Sequence, residues 1–256
     1  MYGKKRQNRK RASKPLPYKR RAYKVSKNLN KAIKKVIHSQ IENKTWTSTN
    51  VNTTIVTASS SALTYFNLLP ILIQGTGAQN RIGNEVRVRR AYIKGRINIL
   101  PYNVTTNPLP ASVLVKMWVV REKLNNNSNQ LQNSASNFFT VNSAPIGPTS
   151  TILDTLYDVN TDYYSVFATR TIELSTGWNS GTTYTTPTGS KGSFTVPFYF
   201  NLTKHVGLLK WNDTSPTYTT NKNLFLVFQA VYSDGSSTAL NSAEYHCCLT
   251  HHFEDA

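Results

Sequence analysis

The sequence of 256 residues contains only two cysteines, Cys247 and Cys248, and they are adjacent. Adjacent cysteines cannot connect distant segments, so the disulfide framework of a small secreted protein is excluded. Long apolar runs are also absent, because the longest apolar stretches, 66–73 and 224–232, are too short for a membrane-spanning helix. We therefore expect no signal peptide and no transmembrane segment.

Acidic residues are scarce, and the basic residues that outnumber them are concentrated at the N-terminus. The chain has 12 Asp and Glu against 30 Lys and Arg, which gives a formal charge of +18. Residues 1–44 hold 16 of the basic residues and one acid, Glu42, so this segment alone carries +15. The rest of the chain is almost neutral, and its hydrophobic content suffices for a core. The sequence thus predicts a folded body with a polycationic arm.

The arm has the composition of a segment that binds phosphates without reading base sequence. Pro15 and Pro17 discourage helix, and Tyr18 and Tyr23 could stack on unpaired bases, although their presence among the charges could also be incidental. We expect residues 1–25 to be disordered. The predicted nucleic-acid-binding residues of the arm are Lys4, Lys5, Arg6, Arg9, Lys10, Arg11, Lys14, Lys19, Arg20, Arg21, Lys24, Lys27, Lys31, Lys34 and Lys35. Those that could also form a nuclear import signal are Lys4, Lys5, Arg6, Arg9, Lys10, Arg11, Lys19, Arg20 and Arg21.

Residues 26–43 have the three- and four-residue apolar spacing of a short basic amphipathic helix, for which Ser26 is a suitable N-cap. Such a helix is marginal alone, so its apolar face needs another copy, the body or a membrane surface. A helix packed on its own domain is the simpler alternative. We place the domain boundary after residue 44.

The body, 45–256, has a β composition without a convincing helical stripe. The strands predicted by alternation or continuous burial are 51–57, 63–69, 85–100, 113–121, 163–174, 194–202, 224–232 and 243–253. Pro197 indicates an edge strand or an interruption, and residues 224–232 should be covered on both faces. Polar loops are predicted at 123–149, 175–192 and 205–222. Eight strands favour an all-β fold, a single antiparallel jelly-roll sandwich.

The strand 85–100 changes its apolar phase by one residue, which predicts a bulge near Arg89 to Ala91. Basic side chains then share its polar face. They form a second set of candidates for contact with nucleic acid, and they could equally face solvent or a neighbouring subunit. This set is Arg81, Arg87, Arg89, Lys94 and Arg96.

Catalytic and metal-binding signals are weak. The sequence has no Gly-x-Ser-x-Gly elbow, no His-Glu-x-x-His and no P-loop, and Gly75 and Gly77 favour a tight turn over a dinucleotide site. A cluster near the C-terminus contains good zinc ligands, but strand alternation divides them between two faces. Its members are His246, Cys247, Cys248, His251 and His252. Asp154, Asp158 and Asp162 could help to hold a cation between subunits, but a polar loop is simpler. We predict no enzymatic activity, no cofactor and no metal.

The stretch 74–88, from Gln74-Gly75-Thr76-Gly77 to Val86-Arg87-Val88, and the following Ile93-Lys94-Gly95-Arg96-Ile97 resemble capsid proteins of circular Rep-encoding single-stranded DNA viruses, which are circovirus-like. Phe253-Glu254-Asp255 resembles the C-terminus of that family. The architecture is also similar to coat proteins of satellite plant viruses. The resemblance implies sixty copies in an icosahedral T=1 shell, with the arm directed inward onto the genome.

This resemblance implies a self-assembling viral coat protein that packages single-stranded DNA in the virion and passes through the host nucleus. Sixty arms would bring on the order of 900 positive charges, a scale that suits genome packaging. Its partners would be further copies, the genome, a nuclear import receptor and an unknown host receptor. The alternatives are a satellite-like RNA virus coat, a non-viral basic nucleic-acid-binding protein with a β-sandwich body, and an enzyme or lectin on a β-sandwich.

Overall fold

A computed structural model describes residues 26, 28–29, 31–33, 43–56, 63–77, 79–100, 112–123, 130–133, 135–174, 195–212, 217–235 and 241–255. The chain divides into two units, Met1–Ile41 and Glu42–Ala256. Of the arm residues predicted to bind nucleic acid, only Lys31 falls within the described residues. The loop predicted at 175–192 and the tyrosines of the arm also lie outside them.

Helix begins in the first unit where the sequence places a cap. The Oγ of Ser26 accepts a hydrogen bond from the backbone N–H of Leu29 at 3.1 Å, three residues later. Residues 28–29 and 31–33 are helical. The predicted helix was extended to residue 43, but Asn43 already belongs to the first strand of the body. Residues 34–42, which separate the two, are outside the described part of the chain.

The second unit is built from antiparallel strands, twelve in the residues described. In chain order they are β1 (Asn43–Val56), β2 (Thr64–Asn67), β3 (Glu85–Ile99), β4 (Val113–Glu122), β5 (Phe139–Val141), β6 (Ala144–Ile146), β7 (Asp158–Val159), β8 (Tyr164–Leu174), β9 (Thr195–Asn201), β10 (Leu208–Lys210), β11 (Phe225–Tyr232) and β12 (Asn241–Asp255). Short helical turns occupy Ala135–Asn137, Ile152–Thr155 and Thr203–Val206.

Nine of these strands form two sheets, one of five strands and one of four, with the connectivity of a jelly roll. Sheet A has the order β1-β12-β3-β9, with the short β10 also paired to β3. Sheet B has the order β2-β11-β4-β8. The first and last strands are neighbours, and the chain crosses repeatedly between the sheets, as two interlocked Greek keys require. The predicted antiparallel sandwich is thus present in the strand order itself.

The main core lies between sheets A and B, and a second apolar cluster covers the other face of sheet B. The second cluster forms because β5, β6 and β7 make a small sheet whose Phe139 and Val159 are buried with Trp118 of β4. Every residue of β11 is consequently buried, which confirms the prediction for 224–232. The prediction of a plain loop over 123–149 was wrong, because β5 and β6 lie within it.

Strand β3 contains the predicted bulge. His252 of β12 pairs with Arg90 and Phe253 pairs with Val88, so Arg89 is the extra residue. The bulge lets Val88 and Ala91 both face the core while Arg89 and Arg90 are both exposed. Pro197 also lies where predicted, because β9 pairs only with β3 among the described strands.

Strand β1 begins earlier than the sequence indicated, at Asn43 instead of residue 51. Its first half consists largely of Thr, Ser, Asn and Lys, which gives little apolar alternation to recognise. Pairing with β12 makes it a strand, from Asn43 opposite Glu254 onward. Lys44, counted with the arm from its charge, therefore belongs to the body. A shorter correction applies to 205–222, where β10 and the end of a helical turn interrupt the predicted loop.

Candidate nucleic-acid interface

The exposed face of sheet A is lined by basic side chains of β3. Alternation along the strand sends Ile93 and Ile97 into the core and Lys94 and Arg96 to the opposite side. The bulge adds Arg90 to the same face. We call this surface the cationic face, defined by its exposed residues Arg87, Arg89, Arg90, Lys94 and Arg96.

The carboxylates near the cationic face already have partners. Glu254 accepts a hydrogen bond from the Nε of Arg89 at 2.6 Å, and Glu85 forms an ion pair with Lys210 at 2.5 Å. Glu244 contacts the Nε2 of His246 at 3.1 Å. Within the described residues, no acidic side chain forms an ion pair with Arg87, Arg90, Lys94 or Arg96. These four cations therefore remain available to an external anion.

The body joins the arm at one end of this same sheet. Asn43 is opposite Glu254 on β12, and Glu254 is opposite Arg87 on β3. The next residue, Lys44, is only 2% exposed and its Nζ donates to Asp255 at 2.9 Å and to the carbonyl of Asn80 at 3.0 Å. This buried contact fixes the first residues of β1 beside the arginines of the cationic face.

Arg81 must be removed from the predicted interface because its side chain is completely buried. Its Nε donates to the carbonyl of Leu72 at 3.2 Å, and its Nη1 donates to Gly83 O at 2.5 Å and Asn84 Oδ1 at 2.8 Å. The guanidinium also lies 5.0 Å from the ring centroid of Trp211. Its charge holds the turn between β2 and β3 and does not reach the surface. Sequence alone did not show this, since the partners are mainly backbone carbonyls.

Aromatic residues that the sequence analysis did not select lie among the cations. Tyr92 of β3 and Tyr199 of β9 stack with centroids 6.1 Å apart and ring planes 29° apart. The guanidinium of Arg90 is 5.0 Å from the Tyr92 centroid, and His252 lies 6.3 Å from it on the other neighbouring strand. Tyr199 is 51% exposed. Alternation already assigned Tyr199 to the polar face of its strand, but only the pairing of β9 with β3 brings the two rings together.

A recess of about 460 Å³ adjoins these side chains on the same face. Lys94, Arg96, Pro197 and His246 line part of it. Gly95 also belongs to the lining, and a side chain does not fit there, because a Cβ would lie 2.3 Å from the carbonyl oxygen of His246 and 2.5 Å from the ring of the core residue Phe198.

The cysteine and histidine cluster of β12 is divided between the two faces of sheet A, as its alternation indicated. Cys247 and His251 are buried, whereas His246, Cys248 and His252 are partly exposed. Burial raises the pKa of Cys247 to about 12, so its thiol is protonated at neutral pH and is a poor metal ligand. No group of three His, Cys, Asp or Glu side chains in the described part of the chain is arranged to hold a metal ion.

The three aspartates at four-residue spacing do not share one role. Asp154 is buried and accepts hydrogen bonds from the backbone N–H groups of Thr149 and Ser150 and from Gln229 at 2.8–2.9 Å. Asp158 and Asp162 are exposed. The carboxylate of Asp154 therefore anchors a helical turn to sheet B, and the structure does not bring it together with the other two as a cation site.

A second recess of about 650 Å³ lies on the sheet B side, away from the cationic face. It is lined in part by Lys116, Tyr157, Asp158 and Asp162. The Nζ of Lys116 donates to the carbonyl of Thr155 at 2.5 Å, and burial lowers the pKa of Lys116 although Asp158 opposes the change. The amine of Lys116 is therefore already bound by a backbone carbonyl of the protein.

Comparisons with known proteins add little to these observations. No protein-family model matches the sequence, and no curated protein matches it. Among solved structures, a chain titled Desmodium yellow mottle tymovirus is similar to 84% of this chain over 85% of its own length, with 11% identity and a TM-score of 0.35. None of the helices in the described residues is long and apolar enough to cross a membrane.

Proposed function

We propose that this chain is a viral coat protein that assembles into a small closed shell and packages single-stranded nucleic acid, with DNA as the expected genome. One observation carries the proposal. A segment of charge +15 precedes a jelly roll, and one exposed sheet face of that jelly roll carries four cations that have no acidic partner among the described residues. The arm and the cationic face are each suited by their charge to a polyanion.

The charge distribution supports a packaging role over sequence-specific recognition. The lysine and arginine side chains of the arm are suited to contact phosphates, which carry no information about base sequence. Many copies of such an arm inside a shell neutralise a genome without reading it. The basic runs of the arm would in addition serve as a nuclear import signal, with the host nucleus as the place of assembly and the virion as the final location. In this proposal the protein has no enzymatic activity and no cofactor.

The fold and the arm together distinguish a coat protein from other jelly-roll proteins. Jelly rolls occur in viral shells but also in lectins and other domains, so fold alone does not decide the function. The arm supports the coat-protein role over a lectin, because a lectin has no need of a segment of charge +15. A non-viral nucleic-acid-binding protein would use the same arm as a monomer.

Negative-stain electron microscopy of the recombinant full-length protein, with light scattering, tests the proposal. Uniform spherical particles are expected, and the nucleic acid extracted from them should be digested by a nuclease specific for single strands. Sensitivity to DNase and resistance to RNase would support DNA, and the reverse would favour the satellite-like RNA virus coat. A monomer at all salt concentrations, with or without single-stranded nucleic acid, would overturn the coat-protein role.

A further inference from the structure

We infer that Tyr92 and Tyr199 form a stacking site for unpaired bases on the cationic face, so that the body binds single strands through bases as well as phosphates. This inference rests on the proposed nucleic-acid role and makes it more specific. It assigns a function to an aromatic pair, whereas charge alone would make the sheet a phosphate-binding surface.

Tyr199 is the solvent-exposed ring of the pair, whereas Tyr92 is partly buried and supports it. The two rings are nearly parallel, 29° apart, on neighbouring strands, and Tyr199 is 51% exposed at the edge of sheet A. Arg90 lies 5.0 Å from the Tyr92 centroid and His252 flanks that ring on the other side. A single exposed tyrosine on a protein surface needs no explanation, but a stacked pair flanked by a guanidinium is an unusual use of an outward face.

Phosphate ligands lie at the right places around this platform. Lys94 is directly opposite Tyr199, and Arg96 is opposite Pro197 in the same strand pair. Arg90, Tyr92, Lys94 and Arg96 follow one another at two-residue steps, about 6.8 Å each along the strand. An extended single strand can follow such a row with its phosphates on the cations and a base on the tyrosines. A duplex cannot do so, because its base faces are covered by neighbouring pairs.

Binding of labelled oligonucleotides to the full-length protein tests the inference. Fluorescence anisotropy would compare a thymidine homopolymer of about twenty nucleotides with an abasic strand of equal length and charge. The wild-type protein is expected to prefer the strand with bases. Exchanging both tyrosines for leucine (Tyr92→Leu with Tyr199→Leu) should weaken binding of the thymidine strand about tenfold or more. The affinity for the abasic strand should stay unchanged.

Two control variants separate stacking from other effects. Exchanging both tyrosines for phenylalanine retains the rings and should retain the preference for bases. Exchanging Lys94 and Arg96 for alanine removes charge and should weaken both strands alike. Unfolding midpoints of all variants would verify that each remains folded. Raising the salt concentration should increase the relative preference for bases, because the contribution of phosphate contacts falls with salt.

A photocrosslinking experiment provides an independent readout in free or assembled protein. A 5-iodouracil strand irradiated in the complex should crosslink to Tyr92 or Tyr199, as identified by mass spectrometry. A uridine strand would show whether RNA and DNA use the same site. Equal affinity for the thymidine and abasic strands, or crosslinks confined to the arm, would overturn the stacking site while leaving packaging by charge intact. If neither strand is bound by the wild-type protein, the proposed function itself fails.

Discussion

At the scale of single residues, His251 shows how the fold changes the chemistry of a side chain. It lies on β12 between Trp46 of β1 and Ala91 of β3, and it is completely buried. Its ring centroid is 5.7 Å from that of Trp46, and among the described residues neither ring nitrogen has a partner in good hydrogen-bond geometry. Burial lowers its pKa to about 3; the nearby backbone of Leu68 favours the protonated ring weakly, and His252 disfavours it.

We therefore predict that His251 makes the protein sensitive to acid. The unfolded chain binds a proton at this residue near pH 6.5, whereas the folded chain does so only near pH 3. As the pH falls from about 6.5 to about 3, this residue should lower the free energy of unfolding by up to about 1.4 kcal/mol per pH unit. His251→Leu should remove that component when free energies of unfolding are measured at neutral pH and near pH 5.

The matched control for this measurement is His252→Leu. His252 is the next residue on β12 but is partly exposed, and its replacement retains His251. The control should therefore keep the acid dependence of the wild type. Parallel pH profiles for the wild type and His251→Leu would contradict the prediction.

At the scale of secondary-structure elements, the outer ends of β1 and β12 are joined by ionic contacts at the root of the arm. Lys44 pairs with Asp255, whose other oxygen accepts the N–H of Ile82 at 3.2 Å. Arg89, the bulge residue, pairs with Glu254. The aromatic and acidic C-terminal residues thus serve two purposes, since Phe253 belongs to the core and the two acids hold neighbouring segments. Their sequence pattern alone indicated only a family resemblance.

We predict that Lys44→Ala loosens this end of sheet A. Removal of the amine leaves Asp255 without its nearly buried partner and should cost about 2–4 kcal/mol of unfolding free energy. Hydrogen exchange should accelerate most in the first residues of β1 and the last residues of β12. Lys94→Ala is the control, because this exposed residue has no ion pair among those described, and its effect should stay within about 0.5 kcal/mol. Uniform acceleration across both sheets would contradict a local role.

At the scale of the whole molecule, the hydrophobic core and most of the net charge belong to different parts of the chain. The core of the second unit lies between sheets A and B, while 15 of the 18 net positive charges belong to residues 1–44. Such a division lets the charged segment bind a partner without affecting the packing of the body. A shell assembled from these copies would therefore depend on ionic strength for its cargo more than for its fold.

Deletion of residues 2–25 should consequently leave the body folded and remove most nucleic acid from purified particles. Circular dichroism and the unfolding midpoint should match the full-length protein, and the ratio of nucleic-acid to protein absorbance should fall. A full-length variant with the eleven basic residues of this segment replaced by glutamine controls for the length of the arm. It should lose nucleic acid to the same extent. Unchanged nucleic-acid content in both variants would refute the role of the arm.

The sequence by itself determined the features that depend on local pattern. Alternation or continuous burial predicted most of the long strands, apart from the polar first half of β1, the phase change in β3 predicted its bulge, and Pro197 indicated an edge strand. The charge and composition of the arm are likewise properties of sequence. These features are readable because each follows from neighbouring residues along the chain.

Only the tertiary structure decided which distant residues meet. Arg81 and Arg87 are both arginines near one turn, yet the fold buries the first against carbonyls and Trp211 and exposes the second. Tyr92 and Tyr199 become a pair only because β9 adds to the edge of β3, and the polar start of β1 is a strand because β12 supplies its partner. Strand pairing and burial depend on contacts between segments far apart in sequence, which no local pattern specifies.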